Sequence, residues 1–237
     1  MSQETFNLRQ AAEHVHLDAN ELRHIAQRGE IAAEERGGEW YFRHRDLDEW
    51  AQRDLLAAGR REQIRRHQSI LDEHRRAKRE DWRLWRLFRP TGIDLALPGK
   101  AKAGIVRDMS DLAAGTGCVY DVDGLYSELK DREDIASTAV GEGAAFLHPR
   151  FHDPYLFEES FIAYGRSQRP VFFGAADGEP TSHFFLICST DHDEHLHILA
   201  RLAVMAHSTE FLTLLSEAET PERVIEIITS AEEAMLV

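Results

Sequence analysis

Between Arg60 and Arg89 the chain carries eleven basic side chains, ten Arg and Lys78, against five acidic ones. A stretch of that composition joins folded cores rather than building one. Its apolar content is thin: Ala57, Ile64, Leu71, Lys78 and Trp85 fall seven apart, an imperfect seam suited to a linker helix that supports self-association as a homodimer. Charge divides at the same place. Residues 1–90 hold 18 Lys+Arg and 17 Asp+Glu, which leaves 10 and 25 for residues 91–237. Only the front part is suited to meet nucleic acid, because a strongly acidic surface repels phosphate. The 237 residues are therefore expected to form a small domain at 1–58, a charged helical linker at 59–89 and a larger domain at 90–237.

With 43% apolar residues the chain can bury a core of ordinary size. No apolar run approaches the ~20 residues that span a bilayer, and the first residues lack a basic-then-apolar export signal. The expectation is a cytoplasmic protein with no membrane insertion. Cys118 and Cys188 are isolated, which suggests reduced core residues rather than a disulfide or metal framework.

In the front domain Asn7 can cap a helix whose Leu8, Ala11, Ala12 and Val15 make one apolar stripe. His16-Leu17-Asp18 forms a turn, Asp18 or Asn20 caps a second helix, and Gly29 ends it. Glu30 to Arg36 and Glu39 to Arg43 flank Gly37-Gly38 as a hairpin, and Asp46 is the expected cap of a third helix. Ala11-Ala12, Arg23 to Arg28 with Gly29, Gly37-Gly38 with Trp40, and Asp46-Leu47-Asp48-Glu49-Trp50 together resemble winged helix-turn-helix domains of the excisionase and MerR type. That resemblance implies that the second helix enters the major groove of DNA, with Arg23, Gln27 and Arg28 at bases or phosphates. Arg36, Arg43 and Arg45 would then contact the backbone. Domains of this kind also bind proteins, and Glu13, Glu21, Glu30, Glu34, Glu35 and Glu39 make this one less basic than a strong DNA binder.

From Ile93 onward apolar runs alternate with helical stripes, which argues a layered α/β sandwich. Short strands are expected at 93–97, 144–147, 160–164, 171–173 and 183–189, with helices closing the chain. Gly141-Glu142-Gly143 and the apolar run to Leu147 place His148 at the end of a buried strand. Upstream lies Leu129 to Thr138 with Arg132, and downstream lies Asp193-Glu194-His195-Leu196-His197-Ile198-Leu199. In order and spacing the three segments resemble the type 2 enzyme IIA domains of the bacterial phosphoenolpyruvate phosphotransferase system, the fructose/mannitol and nitrogen-regulatory branch. The resemblance covers roughly residues 91–237. It implies an enzyme IIA-like α/β sandwich with a mixed sheet, acting as a phosphohistidine phosphotransferase component and needing no cofactor.

The resemblance makes His148 the phosphoryl acceptor, as a neutral imidazole nucleophile. Arg132 matches the active-site arginine, and His195 matches a second histidine that helps hold the phosphoryl group. Ser137, Thr138 and Arg150 add phosphate-binding groups. The family's Pro-His-Gly is replaced by Leu147-His148-Pro149, so one backbone amide is missing here. The donor implied is the histidine-containing phosphocarrier protein, and DNA is the second partner. Two functions stay open: a regulator whose DNA binding responds to phosphate on His148, or a relay passing phosphate to a sugar permease with the front domain serving protein contacts. Asp191 to His197 is rich in metal-ligand types, yet its alternation at two-residue steps suits a strand better than the helix expected there, so no metal residues are assigned.

Overall fold

The computed structural model describes residues 5–57, 82–149 and 156–236. It divides into two compact units, with the boundary between Ala77 and Lys78. Residues 58–81, and with them most of the expected linker helix and its dimer seam, lie outside the described residues.

The N-terminal unit comprises β1 (Thr5–Asn7), α1 (Leu8–His14), α2 (Ala19–Gln27), β2 (Glu34–Arg36), β3 (Glu39–Arg43) and α3 (His44–Ala57). Asn7 and Gln10 form a reciprocal capping box, each side chain accepting from the other's amide at 3.0 and 3.1 Å, which satisfies two donors a bare helix start leaves unbonded. Asp18 Oδ1 accepts from Asn20 at 2.8 Å and starts α2 in the same way. The buried stripe Ala11, Ala12, Leu22, Ile25 and Ala26 meets Phe42, Leu47 and Trp50 in one small core. Gly37 and Gly38 both have positive φ, 62° and 86°, the backbone a two-residue hairpin requires. Two details differ from expectation. The three residues of β1 complete an antiparallel sheet in the order β1-β3-β2, although only three residues carry the pattern. α3 opens at His44, so Asp46 lies inside its first turn and favours the helix dipole rather than capping it.

The C-terminal unit contains a 3-10 turn (Leu84–Leu87), β4 (Phe88–Leu97), α4 (Lys102–Ala114), α5 (Val122–Ile135), β5 (Ala139–Gly141), β6 (Ala144–Leu147), β7 (Phe161–Val171), β8 (Thr181–Cys188), α6 (His192–Ala206), α7 (Thr209–Glu217) and α8 (Pro221–Leu236). The sheet is mixed, in the order β4-β7-β8-β6-β5. One face packs on α4 and α5 through Ile105, Met109, Leu125, Leu129, Leu147, Phe184 and Leu186. The other presents Phe146 and Tyr164 against Phe185, with ring centroids 5.6 and 5.0 Å apart. α6 contacts β8 and α8 contacts β4, which completes a layered α/β sandwich. Cys118 and Cys188 are buried free thiols, and burial pushes the Cys188 thiol well up.

Tertiary contacts override the local pattern at two strands. Residues 84–89 are a 3-10 turn and a strand start, not the last turns of a linker helix ending at Pro90. Buried Glu232 accepts from the amides of Leu84 and Trp85 at 2.8 and 3.2 Å and pairs with Arg201, fixing this segment to α8. Pro90 is tolerated because β4 is an edge strand. β7 is one strand where two short runs are expected, because its polar middle is useful: Arg166 Nη1 donates to the carbonyls of Leu215 and Ala218, both at 2.9 Å, closing the end of α7.

His183, expected to be a satisfied core or surface residue, is buried in a closed hydrogen-bond chain. Ser216 donates to Leu212 O at 2.9 Å, so its oxygen accepts from His183 Nε2–H at 3.1 Å, and His183 Nδ1 accepts from Tyr164 at 2.8 Å. Burial pushes its pKa down to about 4. A depressed histidine contributes no pH dependence above about 6.5; below that the unfolded chain takes up a proton the native ring refuses, and stability falls until about pH 4. His183→Gln should therefore remove about 2 kcal/mol of the stability lost between about pH 6.5 and pH 5. Urea unfolding of both proteins at those two pH values checks this.

Candidate active site

β6 and β8 are neighbours running parallel, with Ala144 opposite His183 and Leu147 opposite Leu186. Their C-terminal ends therefore lie at the same edge of the sheet. His148 follows β6 directly, and α6, which carries His195, begins four residues after β8 ends. That shared edge brings together two histidines 47 positions apart in sequence.

The hairpin before β6 delivers the third group. Gly141, Glu142 and Gly143 all have positive φ, 88°, 51° and 86°, so β5 and β6 fold back tightly as an antiparallel pair. The start of β5 then lies beside the end of β6, with Phe146 N donating to Thr138 O at 3.0 Å. The last turn of α5, which holds Arg132, is carried to the same edge.

At that edge Arg132 Nε donates to His148 Nε2 at 3.1 Å. His148 Nδ1 lies 2.9 Å from Phe146 O. A carbonyl oxygen only accepts, so Nδ1 carries the proton and Nε2 keeps the lone pair that faces the guanidinium. The His148 and His195 rings stand edge to face with centroids 5.1 Å apart. His148, His195 and Arg132 are 0, 1 and 4% exposed, so water screens little of the arginine's charge. His195 occupies the first turn of α6, whose Asp191 cap accepts from Glu194 N at 2.9 Å.

Ser137 and Thr138, expected at the phosphate, are also bonded within the fold. Ser137 Oγ donates to Phe173 O at 2.9 Å, and Thr138 bonds through both its amide and its hydroxyl to the Glu133 carboxylate. Glu133 also pairs with Lys102 Nζ at 2.6 Å. Glu133 and Lys102 were not singled out from sequence; they lie 31 positions apart, and only the packing of α4 on α5 joins them. Pro149 is buried beside His148, while Arg150 lies outside the described residues. His197, expected to be structural, packs edge to face on Trp82 at 4.5 Å.

In the N-terminal unit Arg23 and Gln27 are exposed on α2, Arg45 is exposed on α3, and Arg23 donates to Asn20 at 3.2 Å. The other three basic residues face neighbouring carboxylates: Arg28 pairs with Glu30, Arg36 with Glu34, and Arg43 with Glu34 at 3.4 Å. Exposed pairs of this kind exchange readily for another anion.

Residues 86–231 match the family model described as phosphoenolpyruvate-dependent sugar phosphotransferase system, EIIA 2. The chain belongs to that family. Residues 5–54 match a helix-turn-helix domain. The chain is 30% identical over 138 residues to the PTS system fructose-specific EIIABC component of Bacillus subtilis (strain 168), covering 57% of this chain but 21% of that relative. It therefore spans about a fifth of that protein's length. It is 26% identical over 152 residues to a nitrogen regulatory protein of Pseudomonas aeruginosa, covering 63% and 97% of the two chains. The crystal structure of nitrogen regulatory protein IIA-Ntr from Neisseria meningitidis shares the fold, with a TM-score of 0.56, 24% identity and coverage of 61% of this chain and 98% of that one. Among the described residues no single helix is long and apolar enough to cross a membrane.

In this EIIA domain the hydrogen-bond pattern fixes the imidazole tautomer. Histidine-selective nitrogen NMR at pH 8 should show His148 protonated at Nδ1 and bare at Nε2. Finding the opposite tautomer would remove the Phe146 carbonyl as the orienting group.

Proposed function

We propose that the EIIA domain accepts a phosphoryl group on Nε2 of His148, and that its phosphorylation state regulates DNA binding by the helix-turn-helix domain. The observation that carries this reading is the buried meeting of Arg132, His148 and His195 at one sheet edge. The donor implied by the family is a histidine-containing phosphocarrier protein, with phosphoenolpyruvate as the ultimate source. The Nε2 lone pair attacks phosphorus, the donor's N–P bond breaks, and its electron pair returns to the donor ring. Throughout, Nδ1 keeps its proton on the Phe146 carbonyl. Arg132 gives up its bond to Nε2 and turns to the equatorial oxygens, where its charge opposes the charge that develops there. His195 supplies a further donor from the start of α6.

Phosphorylation adds about −1.5 to −2 charges by analogy with other phosphorylated side chains. That charge would lie close to Glu194, which accepts from Trp82 Nε1 at 2.8 Å and from Ser160 at 2.6 Å. Trp82 lies just before the 3-10 turn that opens the EIIA domain, so repulsion at Glu194 would reach the start of that domain. Arg23, Gln27, Arg28, Arg36, Arg43 and Arg45 are the proposed DNA contacts of the front domain, 1–58. A homodimer would supply phosphate contacts that one copy of this domain, with 7 Lys+Arg against 12 Asp+Glu over residues 1–58, lacks. The exposed carboxylates of Glu34, Glu35 and Glu39 on the hairpin favour a second reading, in which the front domain binds protein and the EIIA domain relays phosphate to a sugar permease.

Incubation with the phosphorylated carrier should label the wild-type chain, leave His148→Ala unlabelled and slow labelling of Arg132→Ala by about a hundredfold or more. Gel-shift titrations at several salt concentrations should then show a several-fold difference in DNA affinity between the phosphorylated and unphosphorylated chains. Label retained by His148→Ala refutes the acceptor. Equal DNA affinities refute the coupling and leave the relay.

A further inference from the structure

Away from the EIIA domain, two histidines and a carboxylate converge inside the helix-turn-helix domain. His14 is the last residue of α1, His44 the first of α3, and Asp48 lies one turn further along α3, so His44 and Asp48 share a helix face. His14 Nε2 is 2.6 Å from Asp48 Oδ1, and His44 Nδ1 is 3.2 Å from Asp48 Oδ2. The imidazole centroids are 4.6 Å apart, and the Phe6 ring walls both at 5.2 and 5.4 Å. His14 and Asp48 are largely withdrawn from water, with side chains 13 and 14% exposed.

We propose that His14, His44 and Asp48 bind one divalent transition-metal ion of the zinc type. Each residue offers a ligand atom, and the three atoms lie within 4.8 Å of one another. Ligands about 2.0–2.1 Å from a tetrahedral ion stand roughly 3.4 Å apart, so the set closes around the ion by side-chain shifts of about 1.4 Å or less. Two imidazoles and one carboxylate select borderline ions such as Zn2+ or Co2+ over Mg2+ and Ca2+, which prefer all-oxygen sets. Asp48 bridges the imidazoles through both its oxygens; on binding, each neutral ring gives the ion one nitrogen lone pair and holds its proton on the other nitrogen. A fourth position stays open for water. The ion ties the end of α1 to the start of α3, and anything that binds only the folded form stabilises it. This reading is independent of phosphate chemistry at His148.

The test is a titration of the full chain with Co2+, followed by visible absorption, with Zn2+ competing under a buffering chelator. Wild type should bind one equivalent at this site, with a rise in the thermal transition of the helix-turn-helix domain of several degrees. Asp48→Asn, which keeps the shape and one hydrogen bond, and His14→Gln should each weaken binding at least tenfold and abolish the rise. His148→Gln, which breaks the histidine pair of the EIIA domain, should leave both unchanged. Equal binding by wild type and Asp48→Asn, or loss only in His148→Gln, overturns the proposal and leaves the three side chains as a hydrogen-bonded clasp between helices. If circular dichroism shows His14→Gln to be unfolded, Asp48→Asn alone decides the outcome.

Discussion

Parallel pairing of β6 with β8 is the constraint on which the EIIA site depends. Backbone hydrogen bonds from Ala144 to Leu147 and from His183 to Leu186 set the register, so both strands finish together. A one-residue slip would turn Phe146 from the Phe185 side to the opposite face of the sheet, and His148 would leave α6 with it. The register is held from both sides, because Ala145 and Leu147 are buried against one helical layer while Phe146 is buried under the other. A strand of four residues, all buried, can thus position an imidazole as firmly as a much longer one.

Burial then sets the chemistry available. With one imidazole nitrogen bonded to a carbonyl and the other facing a guanidinium, His148 is held both in orientation and in tautomer. The neighbouring loop is stiffened separately by the Lys102–Glu133–Thr138 contacts, which keep the turn of α5 that carries Arg132 against β5. Ser137 and Thr138 in this loop also build its frame, through the Phe173 carbonyl and the Glu133 carboxylate.

The smaller unit's helix starts and hairpin are local, satisfied by Asn7, Gln10, Asp18, Gly37 and Gly38 within a few residues of each element. Its surface charge is set nearby as well: Arg28 and Arg36 pair with carboxylates two positions away, and Arg43 reaches Glu34 across the hairpin. Arg28, Arg36 and Arg43 look like an uncommitted basic surface in a list of residues, whereas in the fold each faces a carboxylate.

Sequence alone determined the layered α/β class, the caps of α1 and α2, the buried strand before His148 and the identity of the three residues that meet. Those features are short-range, or repeat with the period of a helix or strand, so neighbouring residues encode them. It did not determine the continuous β7, the strand that begins at Phe88 through Pro90, the Glu133–Lys102 pair or the His14–His44–Asp48 cluster. Each of these depends on groups distant in sequence: Glu232 holds the start of β4, Arg166 reaches the end of α7, and α1 meets α3. No local pattern carries such information, because the free energy that selects these arrangements comes from burying and bonding groups that become neighbours only when the chain folds.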